Sequence, residues 1–211
     1  MAAIITEKFR IHNAEQFSES FSEASATTYY LTIGKPIAFT SDTSGGTDLS
    51  PPTPVDDVSS EYYAWDSMIA AKKVTSSDVV NVIPRRNWAN STTFDMYEDN
   101  ISSSNTTTSG ATNLYDSTFY FMTSDFKVYK VLDNNGGTNF SGSEPTSTSN
   151  SPFESGGYIL KYMYTLTTSQ VQNFLTTDFM PVATDSTVST AAVDGKIESL
   201  IVTAGSGYTN G

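Results

Sequence analysis

Two adjacent arginines, Arg85 and Arg86, with Trp88 close behind, are the densest concentration of specific chemistry in this sequence. Guanidinium forks bind carboxylates bidentately and stack on aromatic faces, so the trio suits an ion-paired contact. The segment is Val79-Val80-Asn81-Val82-Ile83-Pro84-Arg85-Arg86-Asn87-Trp88, a β-branched run that stops at a proline. The run reads as a short buried strand, and Pro84, lacking an N–H, reads as its end. On composition alone the plainer reading is a surface pair that offsets the chain's own carboxylates, a contact worth little. Other chemistry is sparse. His12 is the one histidine, there is no cysteine, and the adjacent carboxylates Asp56–Asp57 and Glu98–Asp99 suit capping or solvated positions. No ligand set for zinc, no nucleophile elbow and no phosphate loop is present, so no catalytic, metal or cofactor residue is assigned.

The whole chain narrows the function classes further. Its 211 residues suffice for one substantial core or two small ones. With 11 Lys+Arg against 23 Asp+Glu, phosphate repulsion goes uncompensated and a nucleic-acid partner is disfavoured. Charged residues make up only 16%, while Thr, Tyr, Phe and Val favour strands and Ser, Asn and Gly favour connections. No apolar run reaches bilayer-spanning length, so no membrane partner is expected. The first residues lack a signal-peptide layout, which implies synthesis in a cytoplasm.

The elements that would position the arginines read as follows. Residues 3–11 alternate as a strand with Ile5, Phe9 and Ile11 inward, and Asn13 to Glu23 follow as a short helix with Phe17 and Phe21 on one face. Thr28 to Pro36 is a strand. A proline-rich loop then leads to a helix capped by Thr53, opened by Pro54 and carrying Val58, Tyr62, Trp65 and Met68 or Ile69 on one apolar, core-facing side to about Lys73. Asn90 to Gly110 is a long polar loop anchored only by Phe94, Met96 and Tyr97. Strands follow at 114–122 and 125–132, the second stopped by Asp133-Asn134-Asn135-Gly136-Gly137. After a second polar loop at 138–156, Tyr158 to Leu166 has apolar residues on both faces and reads as a central strand. A capped helix at 169–175, an extended piece at 179–182 and an alternating strand at 196–203 complete the series. The sequence then stops within turn chemistry, which reads as the interruption of a longer chain.

Taken in order, several of these pieces resemble the baseplate wedge proteins of T-even-type contractile phage tails, the gene product eight family. They are Glu7-Lys8-Phe9-Arg10, Tyr30 to Lys35, Pro51-Pro52-Thr53-Pro54, the segment with Trp65 and Met68, Val82 to Trp88, Phe126 to Asp133, and Gly157 to Tyr164. The most specific is Val82 to Trp88. The resemblance spans roughly residues 4–182 and departs from Thr184 onward.

The resemblance implies a structural protein of the virion tail, made in the host cytoplasm. It implies a mainly β fold with short helices (α+β), built as two β-sandwich domains with one inserted in the other. Residues 1–88 would form the first part of the outer domain, 89–183 the inserted domain, and 184–211 a return segment. It further implies a homodimer, contacts with other baseplate wedge proteins, and a part in the rearrangement that triggers sheath contraction. Pro84, Arg85, Arg86 and Trp88 become a domain-junction or interface cluster, with the arginines paired to carboxylates of this chain or a neighbour. Two other readings compete. One is a receptor- or carbohydrate-binding tail module with exposed Tyr and Trp as its platform. The other is a hydrolytic tail enzyme, for which His12, Glu98 and Asp99 are the candidates.

Overall fold

The structure is a computed structural model that describes residues 7–34, 46–53, 65–182 and 190. The expectations for Ile5, for the predicted helix over Pro54 to Ala64, and for the strand at 196–203 lie outside the described residues. The chain divides into two compact units, Met1–Val80 and Asn81–Gly211. It is mainly β, with short helices and antiparallel sheets.

In the first unit, helix α1 runs Glu7–Glu19. The strand expected at 3–11 is therefore helical from Glu7 on, and Phe9 and Ile11 are about half exposed rather than buried. Glu, Lys, Arg, Ala and Gln dominate this segment, and their helix propensity outweighs the brief apolar alternation. The hydroxyls of Ser20 and Ser22 satisfy the last carbonyls, bonding Phe17 O at 2.7 Å and Glu19 O at 3.0 Å. Phe17 near the end of the helix, Phe21 just past it and Tyr29 form an aromatic trio with centroids 4.6–5.4 Å apart.

Tyr29 opens β1 (Tyr29–Gly34), which pairs antiparallel with β2 (Met68–Val74) from Tyr29↔Val74 to Gly34↔Met68. The helix predicted to reach Lys73 is thus a strand in its last part, although Trp65 and Asp66 are helical. Cross-strand pairing with β1 overrides the helix preference of Ala70-Ala71-Lys72-Lys73. Trp65 is exposed, so it is not the core residue the helical spacing implied. Both faces of the ribbon are open, with Tyr30, Leu31, Ile33 and Ile69 each 60–65% exposed. A 3-10 turn at Ser76–Asp78 closes the unit, where the Asp78 carboxylate binds Lys72 Nζ at 2.5 Å and Thr75 N at 3.0 Å. Those bonds, the lysine's first, lower the Asp78 pKa to about 2.

The second unit holds a four-stranded antiparallel sheet in the order β4 (Tyr120–Met122), β5 (Lys127–Asp133), β7 (Tyr158–Thr165), β6 (Phe153–Ser155). Alternation sends Phe121, Tyr129, Val131 and Leu160 into one core with Phe94 and Phe140. It sends Tyr120, Met122 and Val128 into another with Leu166 and Met180. Because both faces are covered, β7 is apolar on both sides and central, as its sequence implied.

The second face is covered by two further elements. Helix α2 (Thr168–Phe174) contributes Val171, with Leu175 just beyond it, and the two-stranded sheet β3 (Val82–Pro84) with β8 (Phe179–Pro181) contributes Ile83 and Met180. Thr167 caps α2 through a capping box with Gln170.

Only the end of the expected 114–122 strand forms. Asn113 accepts from Asp116 N at 3.0 Å and from Ser117 N, an Asx turn that takes the backbone out of any ladder. Between β6 and β7, Gly156 (φ 62°) and Gly157 (φ 86°) make the tight turn. A Cβ on Gly156 would lie inside van der Waals contact of the buried Phe140 ring.

Candidate functional site

Pro84 lies within β3 opposite Phe179, and Arg85 N continues the ladder by donating to Asp178 O at 2.7 Å. Tyr120 Oη donates to Pro84 O at 2.7 Å and ties this strand to β4. Successive side chains of an extended segment leave on opposite sides. The Arg85 guanidinium accordingly reaches the α2–β8 connection, donating from Nη1 to Thr176 O at 2.8 Å and from Nε to Asn87 Oδ1 at 3.0 Å. Arg86 reaches the other way, donating from Nη2 to Tyr115 O at 2.8 Å and Asp116 O at 2.9 Å. Its guanidinium also lies 5.6 Å from the centre of the Tyr120 ring.

The arginines therefore bind carbonyls, and neither is in an ion pair among the described residues. Of the two expected pairings, the one with carboxylates of this chain is not found among the described residues. Turn carbonyls such as Thr176 O, Tyr115 O and Asp116 O have no ladder partner, and a guanidinium supplies the missing donors. The Asp116 carboxylate is engaged elsewhere, accepting from Asn113 Nδ2 at 2.8 Å.

Backbone bonds fix the rest of the segment. Met122 N donates to Arg86 O at 2.7 Å and Trp88 N to Met122 O at 2.8 Å, a parallel bridge along the edge of β4. Trp88 packs edge-on to Phe140 at 5.8 Å and joins the first core. Arg86 Nε and Trp88 Nε1 are buried donors without a hydrogen-bond partner, a cost to the fold. Between Arg85, Trp88 and the β4–β5 turn lies a cleft of about 370 Å³.

A second polar knot went unread in the sequence. Asp95 is buried, and its carboxylate accepts four hydrogen bonds. Ser109 N reaches Oδ1 at 2.7 Å, while Ser109 Oγ, Ser117 Oγ and Thr118 N reach Oδ2 at 2.7, 3.1 and 2.8 Å. Burial pushes its pKa up, but the donors from Ser109 and Thr118 outweigh it and hold the carboxyl below its usual value. With Phe94 buried beside it, Asp95 ties down the polar stretch after Trp88. The nearby Lys130 Nζ sits 3.4 Å from the centre of the Tyr97 ring.

His12 is exposed on α1 in the first unit, and Glu98 and Asp99 lie in the irregular stretch after Asp95 in the second. Among the described residues no cluster of three His, Cys, Asp or Glu could hold a metal, and no helix is long and apolar enough to cross a membrane.

No curated protein matches the chain. A family model described as Phage-Gp8, Bacteriophage T4, Gp8, does match, over residues 3–146, and so includes the whole Val82–Trp88 segment. The likeness read from motifs at 147–182 falls outside that match. The match takes in well over half of the sequence, and the chain belongs to the Phage-Gp8 family, the baseplate wedge proteins of the contractile phage tail.

Proposed function

We propose that this protein is a load-bearing part of the wedge, assembling with other wedge proteins around the tail hub and passing the baseplate's rearrangement on to sheath contraction. The observation that carries this reading is the family match across residues 3–146. The protein acts as a homodimer without enzymatic turnover or nucleic-acid contact. Residues 1–88 begin an outer domain and 89–183 form the inserted one, with Val82 to Trp88 as the stretch where the chain passes from one to the other. Pro84, Arg85, Arg86 and Trp88 hold that stretch rigid, which suits a part that must transmit force rather than yield to it. The open β1–β2 ribbon supports an assembly role, because an isolated two-stranded ribbon is marginal in water and gains from a covering partner.

The test is the double variant Arg85→Ala, Arg86→Ala, scored for incorporation into wedges and, separately, for thermal unfolding of the isolated protein. Incorporation should fall about tenfold or more at a temperature where the variant remains folded. Normal wedge assembly by a folded double variant would remove the role assigned to the pair.

A further inference from the structure

We infer that the cleft beside the arginine segment receives a short stretch of a neighbouring polypeptide, which sets an acidic side chain against Arg85 and an apolar one between Trp88 and Phe126. This deepens the wedge reading and rests on it. At about 370 Å³ the cleft falls within the range of ligand-sized pockets, roughly 300–1,000 Å³.

Its charge is divided. Arg85 commits Nε and Nη1 to Asn87 and Thr176, which leaves Nη2 without a hydrogen bond among the described residues. Asn87, exposed at the rim, uses only its Oδ1. Glu144, which also lines the cleft, accepts from Ser124 N at 3.0 and 3.2 Å and from Ser124 Oγ at 2.5 Å, and its two oxygens keep lone pairs to spare. A polypeptide matches this set: a carboxylate for the guanidinium, a backbone carbonyl for the Asn87 amide, and a backbone N–H for Glu144. A phosphate chain would bring several charges to one guanidinium beside Glu144 on a chain of net charge -12, where a single carboxylate brings one. A neutral glycan would leave the guanidinium without an anion.

The apolar wall is set by strained backbone. The turn from Thr123 to Phe126 joins β4 to β5, with Phe126 N donating to Thr123 O at 3.0 Å. Phe126 has φ 60°, a conformation that glycine or asparagine takes without a bulky ring. Strain of this kind persists where surrounding contacts over-determine it, and it clusters at binding sites. Here it places a large ring at the cleft wall, partly buried on the second core, while Trp88 lines the same cleft from the first.

The experiment uses intact tails in which Asn87 is replaced by photoreactive p-benzoylphenylalanine, with the same probe at exposed Asn150 as a control. After irradiation, cross-linked peptides are identified by mass spectrometry. The expected result is a cross-link from position 87 to one neighbouring segment that carries Asp or Glu next to an apolar residue. Added Arg85→Gln should cut its yield about tenfold or more. Ser124→Trp, which fills the cleft from an exposed position, should do the same, and decides the matter if the arginine variant does not fold. Cross-linking to carbohydrate, to a segment without an acidic residue, or at a yield unmoved by Ser124→Trp would overturn the proposal. Tails that contain the protein but give no cross-link from position 87 would overturn the cleft alone. A protein that never enters tails would overturn the wedge reading and the cleft together.

Discussion

Replacing Asp95 by Asn gives the sharpest test of how the second unit is held. The carboxylate accepts four donors, one on Oδ1 and three on Oδ2. An amide in the same position can keep its oxygen toward the three, but its NH₂ then faces Ser109 N–H, donor against donor. Three bonds drop from charge-assisted to neutral strength, and one donor is left unsatisfied. Against this stands the relief of no longer burying a charge. Net loss should be about 2–4 kcal/mol at pH 7. In a domain of ordinary stability, about 5–15 kcal/mol, the variant still folds.

Urea unfolding in a Trp65→Phe background would let Trp88 report the second unit alone. With a slope of about 1–3 kcal/mol per molar urea, the midpoint should fall by roughly 0.7–4 M. The pH dependence follows from the lowered pKa of Asp95. Its stabilisation is fully present above the unfolded value, about 3.9, and is lost as pH falls toward the folded value. The gap between wild type and variant should therefore narrow below about pH 4. A difference under about 0.5 kcal/mol at pH 7, or a gap that stays constant with acidification, would refute the role given to Asp95.

Gly156→Ala should cost about 2–4 kcal/mol in thermal or urea unfolding, since the new Cβ meets Phe140 and the residue must hold positive φ. Gly110→Ala is the control: its φ is 84° but nothing lies within 4 Å, so about 1 kcal/mol is expected, and equal losses would count against the Phe140 contact. Tyr129 and Tyr164 should ionise late in a spectrophotometric titration. Burial raises both to about 12, with Tyr162 adding to Tyr129 and Tyr120 to Tyr164. Groups raised in this way stabilise the fold below the unfolded value of about 10, and that contribution is lost as pH rises through about 12. Ordinary ionisation of all the tyrosines near 10 would contradict the packing around these two.

Much of the second unit was legible because local and tertiary preferences agree there. β5 alternates and ends at turn residues, β7 is apolar on both faces as a central strand is, and the helix read at 169–175 is close to α2. The first unit was less legible because local signals conflict with pairing. Met68 to Val74 is rich in helix formers yet joins β1, while Phe9 and Ile11 mimic strand alternation within a helix. At the site, Pro84, Arg85, Arg86 and Trp88 stood out by residue type. Their partners did not, because Thr176 O, Tyr115 O and Asp116 O become available only once distant turns fold beside them. Asp95 gave no signal at all. One aspartate in a polar run looks solvated until Ser109, Ser117 and Thr118 close over it.

The wedge account is tested most directly by imaging intact tails to the point where individual chains are traced. It predicts density for this protein in the baseplate, as two copies in each wedge, with Val82 to Trp88 buried in ordered structure. Density confined to fibres or receptor-binding tips, or a single copy per wedge, would contradict it.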